Sequence, residues 1–437
     1  MKKLAALGTA ALLGTTLAAC GSSSKTSSQS ASSGTTASGS ATPGSPTTAS
    51  GASGASSATP IKLMVIGDLQ TPVQAFPQLV QGAQAAANTI NASGGVNGHQ
   101  ITILSCNTQG DPNVSASCAR SAVSDKVSAV VGMLAIQSTP VVQILQQANI
   151  PSIGSFGINA IEDSSPVSFP IQAAVGQEVG AVVSMPGWQS CVHPAVMYDS
   201  DLPSAAQSAQ VVKRIYAAQS PARSLTLVPV TTTQVQYAPQ IATLLSGGTD
   251  CAWTFSTTTP MLALIKQVAT SGQKVKLGNN AATLTAQNLQ QLGSAGDGVY
   301  ISSQFELPGT TAGDAFATAL KAVSSSAPDD VIAEDAYASV QIFADAAKNL
   351  TDFSGPSVLH ALDADTNFNV PVLPALKSFP ANSQVAGSAR VPMFDVYSYQ
   401  WTGSKLVQQS SNPMNVKSFL TQYGSWHEES FVKAATP

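Results

Sequence analysis

Ile61-Lys62-Leu63-Met64-Val65-Ile66-Gly67 is a short apolar run, and after a loop to Phe76 the period of the pattern changes. Residues 78–91 place Leu79, Ala83, Ala86, Ala87 and Ile90 at helical spacing. Gly94-Gly95-Val96-Asn97-Gly98 then breaks the chain with turn residues. Strand, helix and turn in that order form one βα unit. Working outward, the unit repeats, with strands expected at 101–105, 127–132 and 150–154 and helices near 114–125 and 138–148. Strands alternating with helices imply parallel βαβ units and a doubly wound sheet. The pattern then restarts, with strands at 194–198, 224–230, 251–256, 274–278 and 298–303. Helices near 204–219, 237–246, 259–271 and 285–291 separate them. Three more helices follow, near 311–325, 333–349 and 355–363. A late strand over 394–401 ends in the turn Thr402-Gly403, and 410–437 reads as a loosely attached tail.

Residues 1–60 are of another kind. Lys2 and Lys3 precede an uncharged apolar stretch over 4–19 that ends in Leu17-Ala18-Ala19-Cys20-Gly21. This is the pattern of an exported lipoprotein precursor, with a signal peptide over 1–20 and a lipobox whose Cys20 thiol takes the lipid. Two or three acyl chains, at about 0.8 kcal/mol per buried CH₂, hold a domain on a membrane. Residues 21–60 are almost wholly Ser, Thr, Ala, Gly and Pro, with Lys25 the only charge. Such a segment buries no core and reads as a disordered tether with a span of roughly 35 Å.

The formal net charge is −4 and 10% of residues are charged, which argues against a nucleic-acid binder. Export permits disulfides. With Cys20 assigned to the lipid, Cys106 ends an expected strand and Cys118 lies on the next helix, and Cys191 and Cys251 each sit at or just before a strand. The expected pairs are 106–118 and 191–251, the alternative being free buried thiols. No Cys-x-x-Cys or His-x-x-x-His spacing suggests a metal, and no cofactor motif is present. His99, His193, His360 and His427 fall in expected turns, strand starts or the tail. Neither a Gly-x-Ser-x-Gly elbow nor a phosphate loop occurs, so an enzyme is disfavoured.

From about 61 to 403 the chain resembles the leucine/isoleucine/valine-binding-protein family, the type I periplasmic binding proteins of ABC importers. The resemblance is carried by the opening strand and by Gly82-Ala83-x-x-Ala86-Ala87-x-x-Ile90-Asn91-x-x-Gly94-Gly95-x-x-Gly98. Gly110-Asp111-Pro112, Cys118-Ala119-Arg120, Val130-Val131-Gly132 before Ser138-Thr139, and Asp250 through Gly272 continue it. It implies two doubly wound α/β lobes joined by three crossover segments, here near 170–175, 300–308 and 388–394. Lobe I would comprise 61–172 and 305–390, and lobe II 173–304 and 391–409. It also implies a monomer that closes on a small-molecule ligand and delivers it to a membrane permease, held by the Cys20 lipid on the outer face of the cytoplasmic membrane. A ligand-sensing receptor of the same fold is the alternative.

In amino-acid-binding members, hydroxyls and amides in the loops after the third and fourth strands hold the ligand carboxylate, and a second-lobe acid takes the ammonium. This chain departs there. Ile136 falls near an expected hydroxyl, Phe156 at a usually small position, and the acidic position at Asn279 or Asn280. A standard branched-chain amino acid is therefore disfavoured, and uncharged donors and acceptors suit a neutral or weakly polar ligand. Candidate ligand contacts are Phe76, Gln137, Ser138, Phe156, Asp199, Thr257, Thr258 and Asn280, with Gln70 and Gln74 weaker. Each has a structural reading beside it. Phe76 and Phe156 would serve equally as core, Ser138 as the cap of the helix opening at Thr139-Pro140, and Asp199 and Asp201 as solvated loop acids.

Overall fold

The computed structural model describes residues 58–71, 75–307, 310–385 and 388–424. The expected signal peptide with Cys20, nearly all of the expected tether, Gln74 and residues 425–437 lie outside them.

β1 (Ile61–Gly67) sits inside a five-stranded parallel sheet, ordered β2-β1-β3-β4-β5. Its neighbours are β2 (Ile101–Asn107) and β3 (Ala129–Met133), with Ile61 opposite Ile101 and Leu63 opposite Ala129. β4 (Ser152–Ser155) and β5 (Ser168–Phe169) extend the sheet beyond β3. Successive strand residues point to opposite faces, so a strand covered on both sides reads as continuous apolar sequence. Leu63 and Val65 pack on one side with Leu79, Ala83 and Ala86 of α1 (Gln78–Ala92). Met64 and Ile66 pack on the other with Cys118 and Ala122 of α2 (Pro112–Ser124) and Val141 and Leu145 of α3 (Thr139–Ala148).

The second sheet contains β6 (Pro194–Asp199), β7 (Thr226–Val230), β8 (Cys251–Phe255), β9 (Lys276–Asn280) and β10 (Tyr300–Ser303), mutually parallel in the order β10-β9-β8-β6-β7. β11 (Asp395–Trp401) joins β10 antiparallel, with Tyr300 opposite Gln400, and β12 (Leu406–Gln408) pairs back onto β11. Its helices are α6 (Pro203–Ala217), α7 (Ala238–Leu245), α8 (Thr258–Ser271) and α9 (Ala286–Leu292).

The chain passes between the sheets three times: between Phe169 and Ala174, between Ser303 and Thr311, and between Ala364 and Asp395. After the second passage α10 (Thr311–Val323), α11 (Val331–Ala347) and α12 (Gly355–Ala364) return to the first sheet. Gly82 makes the docking of α1 on α11 possible: a Cβ there would lie 1.9 Å from the Ala333 carbonyl oxygen. Arg390 fixes the last passage. Its guanidinium bonds Asp363 Oδ1 at 2.7 Å and the Ser168 carbonyl at 3.2 Å, and lies 4.6 Å from the Phe169 ring centroid. The disulfides Cys106–Cys118 and Cys191–Cys251 form as expected, at Cα separations of 5.6 and 5.9 Å.

Three sequence expectations need correction. A short helix α4 (Ala160–Ser164) and the strand β5 were missed, each too short to carry a period. α5 (Ala174–Val183) was also missed, its start being read as crossover; every residue from Val175 to Val183 is buried, so the helix has no polar face to mark it. Residues 410–424 are not a loose tail. Met414–Asn415 forms β13 against β11, and α13 (Lys417–Tyr423) docks by Leu420, with Val416 buried just before it. Arg214 of α6 ties it down, Nε donating to the Tyr423 carbonyl at 2.6 Å.

Candidate ligand-binding site

The carboxyl ends of strands in both sheets face a shared cavity of about 600 Å³. Open α/β sheets place ligands at such strand ends. The first lobe contributes Asp68 after β1, Phe76 before α1, Leu134 and Ile136 after β3, and Phe156 and Ile158 after β4. The second contributes Leu202, the Thr232–Val235 loop, Tyr237, Ser256 through Thr259 and Asn280. Gln177 and Glu178 of α5 and Ile332 of α11 complete the wall.

Phe76, Phe156, Thr257, Thr258 and Asn280 line this cavity together. Two of them also brace it: Thr258 Oγ1 donates to the Thr283 carbonyl at 2.7 Å, and Asn280 Oδ1 accepts the Thr283 N–H at 3.0 Å. Gln137 and Ser138 are not part of the wall. Ser138 neither contacts the cavity nor caps α3 with its side chain. It is fully buried, its hydroxyl donating to Glu162 Oε1 at 2.5 Å and accepting from Asn159 Nδ2 at 2.8 Å. Asp199 is buried rather than solvated and stands just behind the wall, Oδ2 accepting the Thr257 N–H at 3.2 Å. Asp201 holds the loop after β7 through the Thr232 N–H at 3.0 Å and hydroxyl at 2.7 Å.

The sequence reading missed Asp68, Glu178, Tyr237 and the Thr232–Val235 loop. Asp68 follows the strand-ending Gly67, and that position was the available signal. Glu178 lies in the unmarked α5 and gave none.

Residues 60–404 match the periplasmic binding protein family. The chain belongs to the periplasmic binding protein family. The Leu/Ile/Val-binding protein of Escherichia coli (strain K12) is 33% identical over 88 residues, covering 20% of this chain and 24% of that protein. The match thus spans about a quarter of the length of the curated relatives. A solute-binding protein of an ABC transporter from R. palustris, solved in complex with 4-hydroxybenzoate, superposes with a TM-score of 0.68 at 18% identity, covering 82% of this chain and 97% of that one. A leucine-binding protein from Thermotoga maritima gives 0.67 at 14% identity, covering 82% and 99%. These structures share the fold.

Membership makes the cleft a place to bind a ligand, not to turn one over. Among the described residues no helix is long and apolar enough to cross a membrane. In this periplasmic binding protein the cleft is acidic. Burial pushes the Glu178 carboxyl up to about 8, with the nearby Asp199 charge adding to the shift and the Ser208 hydroxyl opposing it. Burial likewise raises Asp199 to about 6 against the pull of the Thr257 N–H. Asp68 is deeply buried yet well bonded. Its Oδ1 accepts the Thr108 hydroxyl at 2.5 Å and the Gly110 N–H at 2.8 Å, and its Oδ2 accepts the Ile136 N–H at 3.0 Å. A metal-like grouping of Cys191, Asp250 and Cys251 lies elsewhere, but both sulfurs are in the disulfide and offer no thiolate.

Proposed function

We propose that this chain is a lipid-anchored solute-binding protein that closes two lobes on a small molecule and delivers it to the permease of an ABC importer. The observation that carries this reading is the 600 Å³ cavity walled by strand ends of both sheets. A ligand that touches both walls favours the closed arrangement by its differential contacts, which is how binding becomes a signal a permease can read. The volume suits a molecule of metabolite size. Family membership supports the transport role. The lipobox at Cys20 and the tether over 21–60 support an anchor at the outer face of the cytoplasmic membrane, within reach of a permease.

The cargo in this reading is not a standard branched-chain amino acid. Ile136, Phe156 and Ile158 offer apolar surface where a carboxylate would need donors, and Asn280 offers an amide at the position where amino-acid-binding members carry the acid for the α-ammonium. Mass spectrometry of small molecules released from the protein purified from its source tests the reading. A single compound at near-stoichiometric amount, displaced by substitutions in the wall, is the expected outcome. Stoichiometric leucine, isoleucine or valine would overturn the cargo assignment, and a protein that releases and binds nothing would overturn the solute-binding role.

A further inference from the structure

The polar groups of the cleft divide by charge, and the division points to one chemical class of cargo. On the first-lobe side, donors suited to an anion are already used within the protein. The Ile136 N–H at the wall is taken by Asp68 Oδ2 at 3.0 Å, and behind the wall the Ser138 hydroxyl is taken by Glu162 at 2.5 Å. A carboxylate entering there meets the Asp68 charge instead of free donors, and like charges repel strongly in a low-dielectric cleft.

On the second-lobe side the situation is reversed. Glu178 is 9% exposed and lines the cavity, and its Oε2 has no hydrogen-bond partner among the described residues. Asp199, whose charge acts on Glu178, is likewise buried with Oδ1 lacking a partner. Among the described residues no Lys, Arg or His lines the cavity. Burial keeps the Glu178 carboxyl largely protonated at neutral pH, and a donor carrying positive charge placed against it displaces that proton and pairs with the anion. Between the two sides, Phe76, Phe156, Ile158, Leu202 and Tyr237 form apolar and aromatic wall, which accepts a hydrocarbon body and favours a cation near ring faces.

We infer that the cargo is an organic amine without a carboxylate, its ammonium against Glu178 and its apolar body against Phe76, Phe156 and Tyr237. Asp68 is then a specificity residue that rejects acids by occupying the amide they would use. This inference rests on the solute-binding reading and names the class of solute.

The test is isothermal titration of the full chain at neutral pH and low salt with four probes sharing one body: 2-phenylethylamine, 2-phenylethanol, phenylacetate and phenylalanine. The amine is expected to bind at least tenfold more tightly than the alcohol, and both carboxylate probes at least tenfold more weakly than the alcohol. Glu178→Gln should bring the amine within threefold of the alcohol. Asp68→Asn, which keeps an acceptor but removes the charge, should raise phenylacetate affinity at least tenfold; it remains informative if E178Q fails to fold. Carboxylate probes binding as tightly as the amine, or an amine preference that survives E178Q, would overturn the inference. If none of the four binds, the cargo released from the native protein decides. An amine lacking a carboxylate upholds the inference. An acid, a zwitterion or a neutral cargo overturns it and leaves the solute-binding role standing, whereas a protein that yields no cargo and binds no probe overturns both.

Discussion

The Ser138 hydroxyl donates to the Glu162 carboxyl at 2.5 Å, with both side chains sealed from solvent. Burial raises Glu162 to about 7, outweighing the Ser138 and Asn159 hydrogen bonds that favour its anion. Asp163 beside it is also held well above its ordinary range, by burial and then by the Glu162 charge.

The sign of the pH dependence follows. The folded Glu162 holds its proton to a higher pH than the unfolded chain does, so its contribution is complete below about 4.5 and is lost as pH rises to about 7. A shift of this size is worth about 3 kcal/mol, or roughly 4 °C in a protein of this length. Glu178, Asp199 and Asp330 are shifted the same way, to about 8, 6 and 6. Thermal unfolding monitored by circular dichroism should therefore give a lower Tm at pH 8 than at pH 5. Glu162→Gln should remove roughly 4 °C of that difference. A Tm that climbs from pH 5 to pH 8 would contradict the assignment.

Phe156 and Gln137 separate wall from neighbour. Phe156 lines the cavity while Gln137 does not, although the two loops they occupy are equivalent in the sequence pattern. Truncating Phe156 to Ala removes apolar contact worth about 2 kcal/mol, so cargo affinity should fall roughly 30-fold. Gln137→Ala should leave it within twofold. Titration calorimetry with the released cargo measures both, and equal losses at the two positions would place the cargo outside this cavity.

The alternation of strands and helices was legible because each central strand is buried on both faces, as Leu63 and Met64 show by packing into opposite layers. Site residues at strand ends were legible for the same reason: Phe76, Phe156, Thr257, Thr258 and Asn280 follow or precede elements whose ends the pattern marks. Ser138 was misread because helix-start chemistry says nothing about a tertiary partner 24 residues away. Glu178 was invisible because α5 is buried around its circumference and presents no polar face, so the helix and the acid on it disappeared together. Pairing of Asp68 with the Ile136 N–H spans 68 residues, and only the folded sheet brings them to one edge.

The two disulfides should differ in what they contribute. Cys106–Cys118 closes a sequence separation of 12 and Cys191–Cys251 one of 60. Loop-closure entropy assigns about 3 and about 4 kcal/mol to them. Urea unfolding of the Cys106→Ala/Cys118→Ala and Cys191→Ala/Cys251→Ala double variants should show the larger loss for the second pair. That pair also ties the segment before β6 to the start of β8, the two neighbouring strands whose ends carry Asp199 and Thr257. Its removal should therefore weaken cargo binding as well as stability, whereas removal of the first pair, on the outer edge of the first sheet, should affect stability alone.

Cys20 tests the anchor independently of the cleft. The residue follows the apolar stretch over 4–19, and in the proposed anchor its thiol would carry the lipid. Expressed in a bacterium that processes lipoproteins, the full chain should fractionate with membranes, resist salt extraction and dissolve in detergent, since acyl chains rather than charge hold it. Cys20→Ala should move it to the soluble fraction while leaving cargo affinity unchanged, because the cleft lies wholly within residues 68–332. Mass spectrometry of the membrane-bound form should show the N-terminal Cys20 carrying diacylglycerol. Membrane retention of the C20A protein would mean that something other than a lipid holds it, and loss of cargo binding in that variant would mean that the leader reaches the cleft.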